Sequence, residues 1–167
     1  MSTLHPQFVN AFVTASFSVL GMVVGESPTR GTPSAQFLGR TDAQVNVVIG
    51  LTGAAQGHVT LGMSLLTATK IASTMIGQPI VTFDAMASSA IGELANMICG
   101  NALLALSEDG PVCDITPPTI IRGTKVEIST LNIAAIVVPL VLSHGEIKLV
   151  VGLQAKSAAS SLPATAA

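Results

Sequence analysis

The sequence predicts an α+β domain, a mainly antiparallel sheet with long helices packed on one face, assembled from two similar half-units. Two observations carry this reading. An apolar stripe with helical spacing opens the chain, from Pro6 to about Val24, and a second, longer one runs from about Phe83 to Leu106. Each is followed by strand-like segments that include a glycine-containing hairpin, so a helix followed by strands occurs once over Pro6–Met63 and again over Asp84–Leu153.

In the first helix Phe8, Phe12, Val13, Phe17 and Leu20 recur at three- and four-residue steps. Pro6 suits its first turn, because a missing N–H costs nothing there. Gly25 and the loop Ser27–Ser34, which holds Pro28, Gly31 and Pro33, end it. Strands are expected around Phe37–Thr41, over Val45–Thr52 and over Gln56–Met63, the last two joined by a hairpin through Thr52, Gly53, Ala54 and Ala55. Ser64 or Thr67 opens a helix through Ile71 and Met75 that Gly77 and Pro79 stop. Asp84 stands in the first turn of the long helix, where the helix dipole favours an acid. Four strand candidates follow: Cys113–Thr116 with Ile120 and Ile121, Lys125–Ser129, Ala134–Leu142, and Glu146–Leu153, with a turn at Ser143, His144 and Gly145. Residues 1–154 are read as one domain, and 155–167, rich in Ala and Ser, as a flexible tail.

Composition narrows the function classes. The chain has 167 residues, 49% hydrophobic and only 10% charged, which suits one packed core and excludes charge-driven disorder. Net charge is −2 and the seven Lys and Arg are scattered, so no basic stripe is available for nucleic acid. Two cysteines, Cys99 and Cys113, are too few for a disulfide framework, and a reduced, cytoplasmic chain is expected. His5, His58 and His144 lie far apart with no metal-ligand spacing, and His58 and His144 read as surface residues beside hairpins. Gly50, Gly53 and Gly57 precede no helix, so they read as turn glycines rather than a phosphate cradle. The run Ala11–Val24 has no Lys or Arg before it, and Ile133–Leu142 is short and holds Pro139, so neither is read as a membrane span.

The informative element is the long helix. Glu93 is the single charged residue between Ala85 and Ser107. At 100° per residue, Ser89, Glu93, Asn96 and Gly100 share a stripe about 60° wide, while Ile91, Leu94, Ile98 and Ala105 face the other way. An ordinary solvated helix face collects Lys and Glu pairs. Here the stripe holds a hydroxyl, a carboxylate, an amide and a glycine, flanked by Met97, Leu103 and Leu104, as suits close approach by a partner's backbone.

That spacing resembles the helix motif of the CheX, CheC and FliY proteins, an acid or Ser, then Glu four residues on, Asn three further and Gly four beyond. IGELANMICGNA around Glu93, IGLTG at Ile49–Gly53 and TPPTI at Thr116–Ile120 are similar to that family too, closest to CheX. The resemblance runs from about Phe8 to Leu153. Two-site members carry a like Glu and Asn in the first helix; ASFSVLGMV here has neither, which implies one site per chain. Ser89 in place of an acid is a departure that the family tolerates.

The resemblance implies a phosphatase acting on the aspartyl phosphate of a CheY-like response regulator. Asn96, whose amide offers both acceptor and donors, would hold the attacking water. Glu93 would pair with a partner lysine, and Ser89, Met97 and Gly100 would line the contact. No cofactor or metal is expected on this chain; Mg2+ is expected on the partner. A homodimer joined through the sheets is implied by the resemblance alone. Two other readings stay open: a receiver-binding or flagellar-switch-like module without catalysis, and a domain that buries Glu93 and Asn96.

Overall fold

The computed structural model describes residues 5–37, 40–108, 113–129 and 133–156. Among these residues three helices, α1 (Pro6–Val23), α2 (Leu65–Ile76) and α3 (Ala85–Ser107), accompany ten strands. The strands are β1 (Thr29–Arg30), β2 (Ser34–Gln36), β3 (Arg40–Thr41), β4 (Val45–Gly53) and β5 (Ala55–Met63). After α3 come β6 (Cys113–Ile115), β7 (Thr119–Arg122), β8 (Val126–Glu127), β9 (Ala135–Leu142) and β10 (Gly145–Ala155). Eight strands form one antiparallel sheet ordered β1-β9-β10-β5-β4-β6, with β2 also on β9 and β7 also on β4, while β3 and β8 pair as a separate ribbon.

This order makes the half-units concrete. Strands β5 and β10 pair at the centre, β4 and β9 flank them, and each flank is completed by two short strands from the other half. Thus β1 and β2 of the first half lie on β9, and β6 and β7 of the second lie on β4. Pro139 fits mid-strand in β9 because its nitrogen faces this outer edge between β1 and β2, where Gly31 N–H donates to the Pro139 carbonyl at 2.8 Å.

Alternation fixes which face is core. Val45, Val47, Ile49 and Leu51 of β4, Val59, Leu61 and Met63 of β5, and Ile147, Leu149, Val151 and Leu153 of β10 are all buried, and they join Phe12, Leu20, Ile91, Leu94 and Ile98 of the helices in one cluster. Each of α1 and α3 is long and apolar enough to cross a bilayer, but 44% of the qualifying stretch of each is buried inside this fold. Phe8, Phe12, Val13, Val19 and Leu20 of α1 are buried in the core cluster, so the first apolar run packs as a core helix.

Ser64 caps α2, its Oγ accepting from Thr67 N–H at 3.0 Å, and Gly77, at φ 78°, closes the helix. Asp84 is the N-cap of α3 rather than a residue of its first turn, with its carboxylate accepting from Ala87 N–H at 2.9 Å. Asp84→Ala is expected to lower stability by about 1 kcal/mol in urea unfolding, and Asp84→Ser to recover most of it.

Some expectations need correction. Of the strand expected around Phe37–Thr41, Arg40–Thr41 forms β3, Phe37 lies past the end of β2 and is 77% exposed, and residues 38–39 lie outside the described residues. The strand expected over Lys125–Ser129 shrinks to β8, because Lys125 sits at φ 56° outside the extended region. Gly53 does lie at the hairpin, but Gly50 and Gly57 are inside β4 and β5. The boundary set at 154 falls inside β10, since Ala155 pairs with Ala55 and Lys156 N–H donates to the Ala54 carbonyl. The rest of the expected tail, 157–167, lies outside the described residues.

Candidate active site on helix α3

Small residues seat α3 deeply. Ala87, Gly92, Ala95, Cys99 and Ala102 are buried along with its larger apolar residues. A side chain at Gly92 would meet Pro118 at 3.6 Å and Ile120 at 3.9 Å, ordinary contact distances, so α3 passes close over Pro118 and β7 at this point. Thr116 ties the same segment to the sheet: Gly50 N–H donates to its Oγ1 and its own N–H donates to the Gly50 carbonyl, both at 2.9 Å. The IGLTG and TPPTI segments are thus one structural unit beneath the helix. Arg122 secures the start of α3, donating to the Phe83 carbonyl at 3.1 Å with its guanidinium 5.1 Å from that ring's centre.

With its inner face so held, α3 turns the predicted stripe outward. Ser89 and Glu93 are exposed, and Asn96, Met97 and Gly100 are half-exposed. Among the described residues neither the Glu93 carboxylate nor the Asn96 amide has a hydrogen-bond or ion-pair partner, so both are uncommitted. Nothing lies within 4 Å of where a side chain at Gly100 would begin, so packing does not demand glycine there. Burial of the pair inside the fold is thereby excluded. Ile91, Leu94 and Ile98 face the core as read, but Ala105 does not; the last turn of α3 leaves Leu104 and Ala105 exposed.

One feature beside the stripe was not legible in sequence. An open groove of about 560 Å3 runs from Met97, Gly100 and Leu104 to Cys113–Ile115 of β6, residues that only the tertiary fold brings to the helix. No cluster of His, Cys, Asp and Glu that could hold a metal occurs among the described residues. Neither Cys99 nor Cys113 is in a disulfide, and burial pushes the Cys99 thiol up to about 12, out of reach as a nucleophile at neutral pH.

The histidines also differ from their reading as plain surface residues. His58 is half-buried on the helix-free face of the sheet, and desolvation lowers its pKa. His144 has partners: its Nε2 lies 2.9 Å from Thr74 Oγ1 and its Nδ1 3.7 Å from Glu26. Ser143 donates both its hydroxyl and its backbone N–H to Glu26, which holds that carboxyl below the usual range. This clasp joins the exit of α1, the β9–β10 turn and α2; its members belong to other elements than the α3 stripe.

Comparison with known proteins decides the family. The family described as chemotaxis phosphatase CheX matches residues 45–141. A CheY-P phosphatase CheX from Thermotoga maritima is 33% identical over 131 residues, covering 78% of this chain and 84% of that one. The chain belongs to the CheX family. Solved CheX structures agree in fold. That of a chemotaxis protein CheX from Desulfovibrio desulfuricans matches with a TM-score of 0.79 at 29% identity, covering 89% of this chain and 99% of the other. CheX of Borrelia burgdorferi, crystallised in a CheX-CheY-BeF3-Mg2+ complex, matches with a TM-score of 0.76 at 30% identity, over 88% and 97% of the two chains.

Proposed function

We propose that this CheX-family chain is a hydrolase that removes the phosphoryl group from the aspartyl phosphate of a CheY-like response regulator, with Asn96 positioning the attacking water. The observation that carries the reading is the uncommitted Glu93–Asn96 pair, one helical turn apart on the outward face of a helix whose inner face is buried. The Thermotoga maritima relative is a CheY-P phosphatase and the Borrelia burgdorferi relative was crystallised with CheY, which supports a receiver as the partner.

Hydrolysis of an acyl phosphate is helped chiefly by placing a water in line with the leaving oxygen. A free carboxamide can do this, since its oxygen accepts from the water while its NH2 donates to a phosphoryl oxygen. Glu93 supplies a carboxylate for a cation on the partner, and Ser89, Met97 and Gly100 allow close approach of its backbone. Mg2+, which neutralises phosphoryl charge in such reactions, belongs to the receiver in this reading. The chain works in the cytoplasm, where receivers reside, and pairs with a second copy through its sheet; light scattering at graded concentration tests the pairing.

The decisive measurement is phosphate release from a phosphorylated CheY-like receiver with and without the chain. Acceleration by catalytic amounts supports the enzyme; binding without acceleration leaves a receiver-docking module. Glu93→Ala is expected to raise KM for the phosphorylated receiver about tenfold with a smaller drop in kcat, a factor typical of one lost charge-assisted contact. Glu93→Gln, which keeps shape and hydrogen bonding, should fall between the two.

A further inference from the structure

The face of the sheet away from the helices holds a small, polar, positively flanked cavity. Even-numbered residues of β5 and β10 point there, because their odd-numbered neighbours point into the core. The β3 end of the β3–β8 ribbon lies over this face: a side chain at Gly62 would meet Ala43 at 3.0 Å and Asn46 Oδ1 at 3.1 Å, and Thr41 Oγ1 donates to Asn46 Oδ1 at 3.2 Å. Beside this crossing is a space of about 80 Å3, walled by Arg40, Asp42, His58, Thr60 and Lys148 with two valines behind.

Three features of that space are independent of one another. Thr60 is 4% exposed, and its Oγ1 has no hydrogen-bond partner, a costly state for a hydroxyl on a central strand. Arg40 and Lys148 are two of only seven Lys and Arg in the chain, and neither has a carboxylate within ion-pair distance among the described residues. The volume exceeds the roughly 10–15 Å3 that a cavity needs to admit one water. Asp42 is the sole carboxylate in the wall, which leaves the wall net positive with His58 neutral.

We propose that this cavity is a binding site for a small tetrahedral oxyanion, of which inorganic phosphate is the prototype, held by Arg40, Lys148 and the Thr60 hydroxyl. Both cations gain a counter-charge and the buried hydroxyl gains an acceptor, so one ligand satisfies all three groups. A metal cation is disfavoured by the single carboxylate. The site stands apart from α3, on the opposite side of the sheet, and does not rest on the phosphatase reading.

Sodium phosphate titrated calorimetrically into the full chain at constant ionic strength tests this, with sodium acetate and sodium chloride as parallel titrants. Saturable binding of phosphate is expected, tighter than acetate, with Lys148→Met and Arg40→Gln each weakening it about tenfold. Thr60→Val should weaken binding several-fold while raising the melting temperature of the free chain, as it removes an unpaired buried hydroxyl; Thr60→Ser should bind like the parent. The assignment is overturned by a phosphate response that chloride reproduces, by tighter binding of acetate, or by affinity unchanged in Lys148→Met and Arg40→Gln.

Discussion

Asn96→Ala is expected to slow release of phosphate from a phosphorylated CheY-like receiver by about 30- to 1,000-fold, while the receiver is still bound. A single group that positions or stabilises the reacting atoms contributes about 2 to 4 kcal/mol to the barrier, and each 1.4 kcal/mol is a factor of ten. The substitution should leave folding intact, because the Asn96 side chain is half-exposed and makes no hydrogen bond with the described residues. Loss of rate with unchanged affinity separates Asn96 from Glu93, whose removal acts first on KM. Asn96→Asp is informative as well: it is nearly isosteric, but it places a negative charge beside the phosphoryl group, and it should be no better than alanine. Receiver decay at the parental rate with Asn96→Ala would refute the assignment, whatever the activity of the chain.

Gly57→Ala is expected to be the most damaging single-methyl change, costing about 3 kcal/mol or more in chemical unfolding. Gly57 lies in β5 at φ 136°, a region that L side chains rarely adopt, and a Cβ there would sit 2.0 Å from the Gly152 carbonyl of β10. The obstacle is backbone of the central strand pair, so no rotamer change relieves it. Gly100→Ala is the control: it adds the same methyl on α3 into open space and should be neutral or slightly stabilising to the isolated chain. If that residue faces the receiver, as proposed, Gly100→Ala weakens binding without lowering stability. A Gly57→Ala variant as stable as the parent would show that β5 and β10 can be paired differently.

Much of the site was readable because it is local. Three residues fix the relation between Glu93 and Asn96 on any helix, and the run of apolar residues on the other side says which way the pair turns. The long helix, both hairpins and the family spacing were legible for the same reason: each depends on side-chain periodicity and turn chemistry within a few residues. The failures are those of partnership. Ala105 has the periodicity of a core residue, yet the last turn of α3 leaves it exposed. Gly50 and Gly57 look like turn residues, and only their neighbours, Thr116 and Gly152, reveal them as points of close approach. His144 is bland in sequence because Thr74 and Glu26 reach it from distant segments.

By itself, then, the sequence determined the helices, the antiparallel character of the strands, and a lone carboxylate and amide sharing one stripe, since helical and strand periods are set by the backbone and need no knowledge of what lies opposite. Tertiary structure alone decided that short strands of each half complete the other half's flank, that α3 passes over Pro118 and Ile120 at Gly92, and that Arg40, Thr60 and Lys148 wall one cavity. Those facts depend on which surfaces meet, and meeting is settled by burial of the whole core at once, a quantity that no short stretch of chain contains.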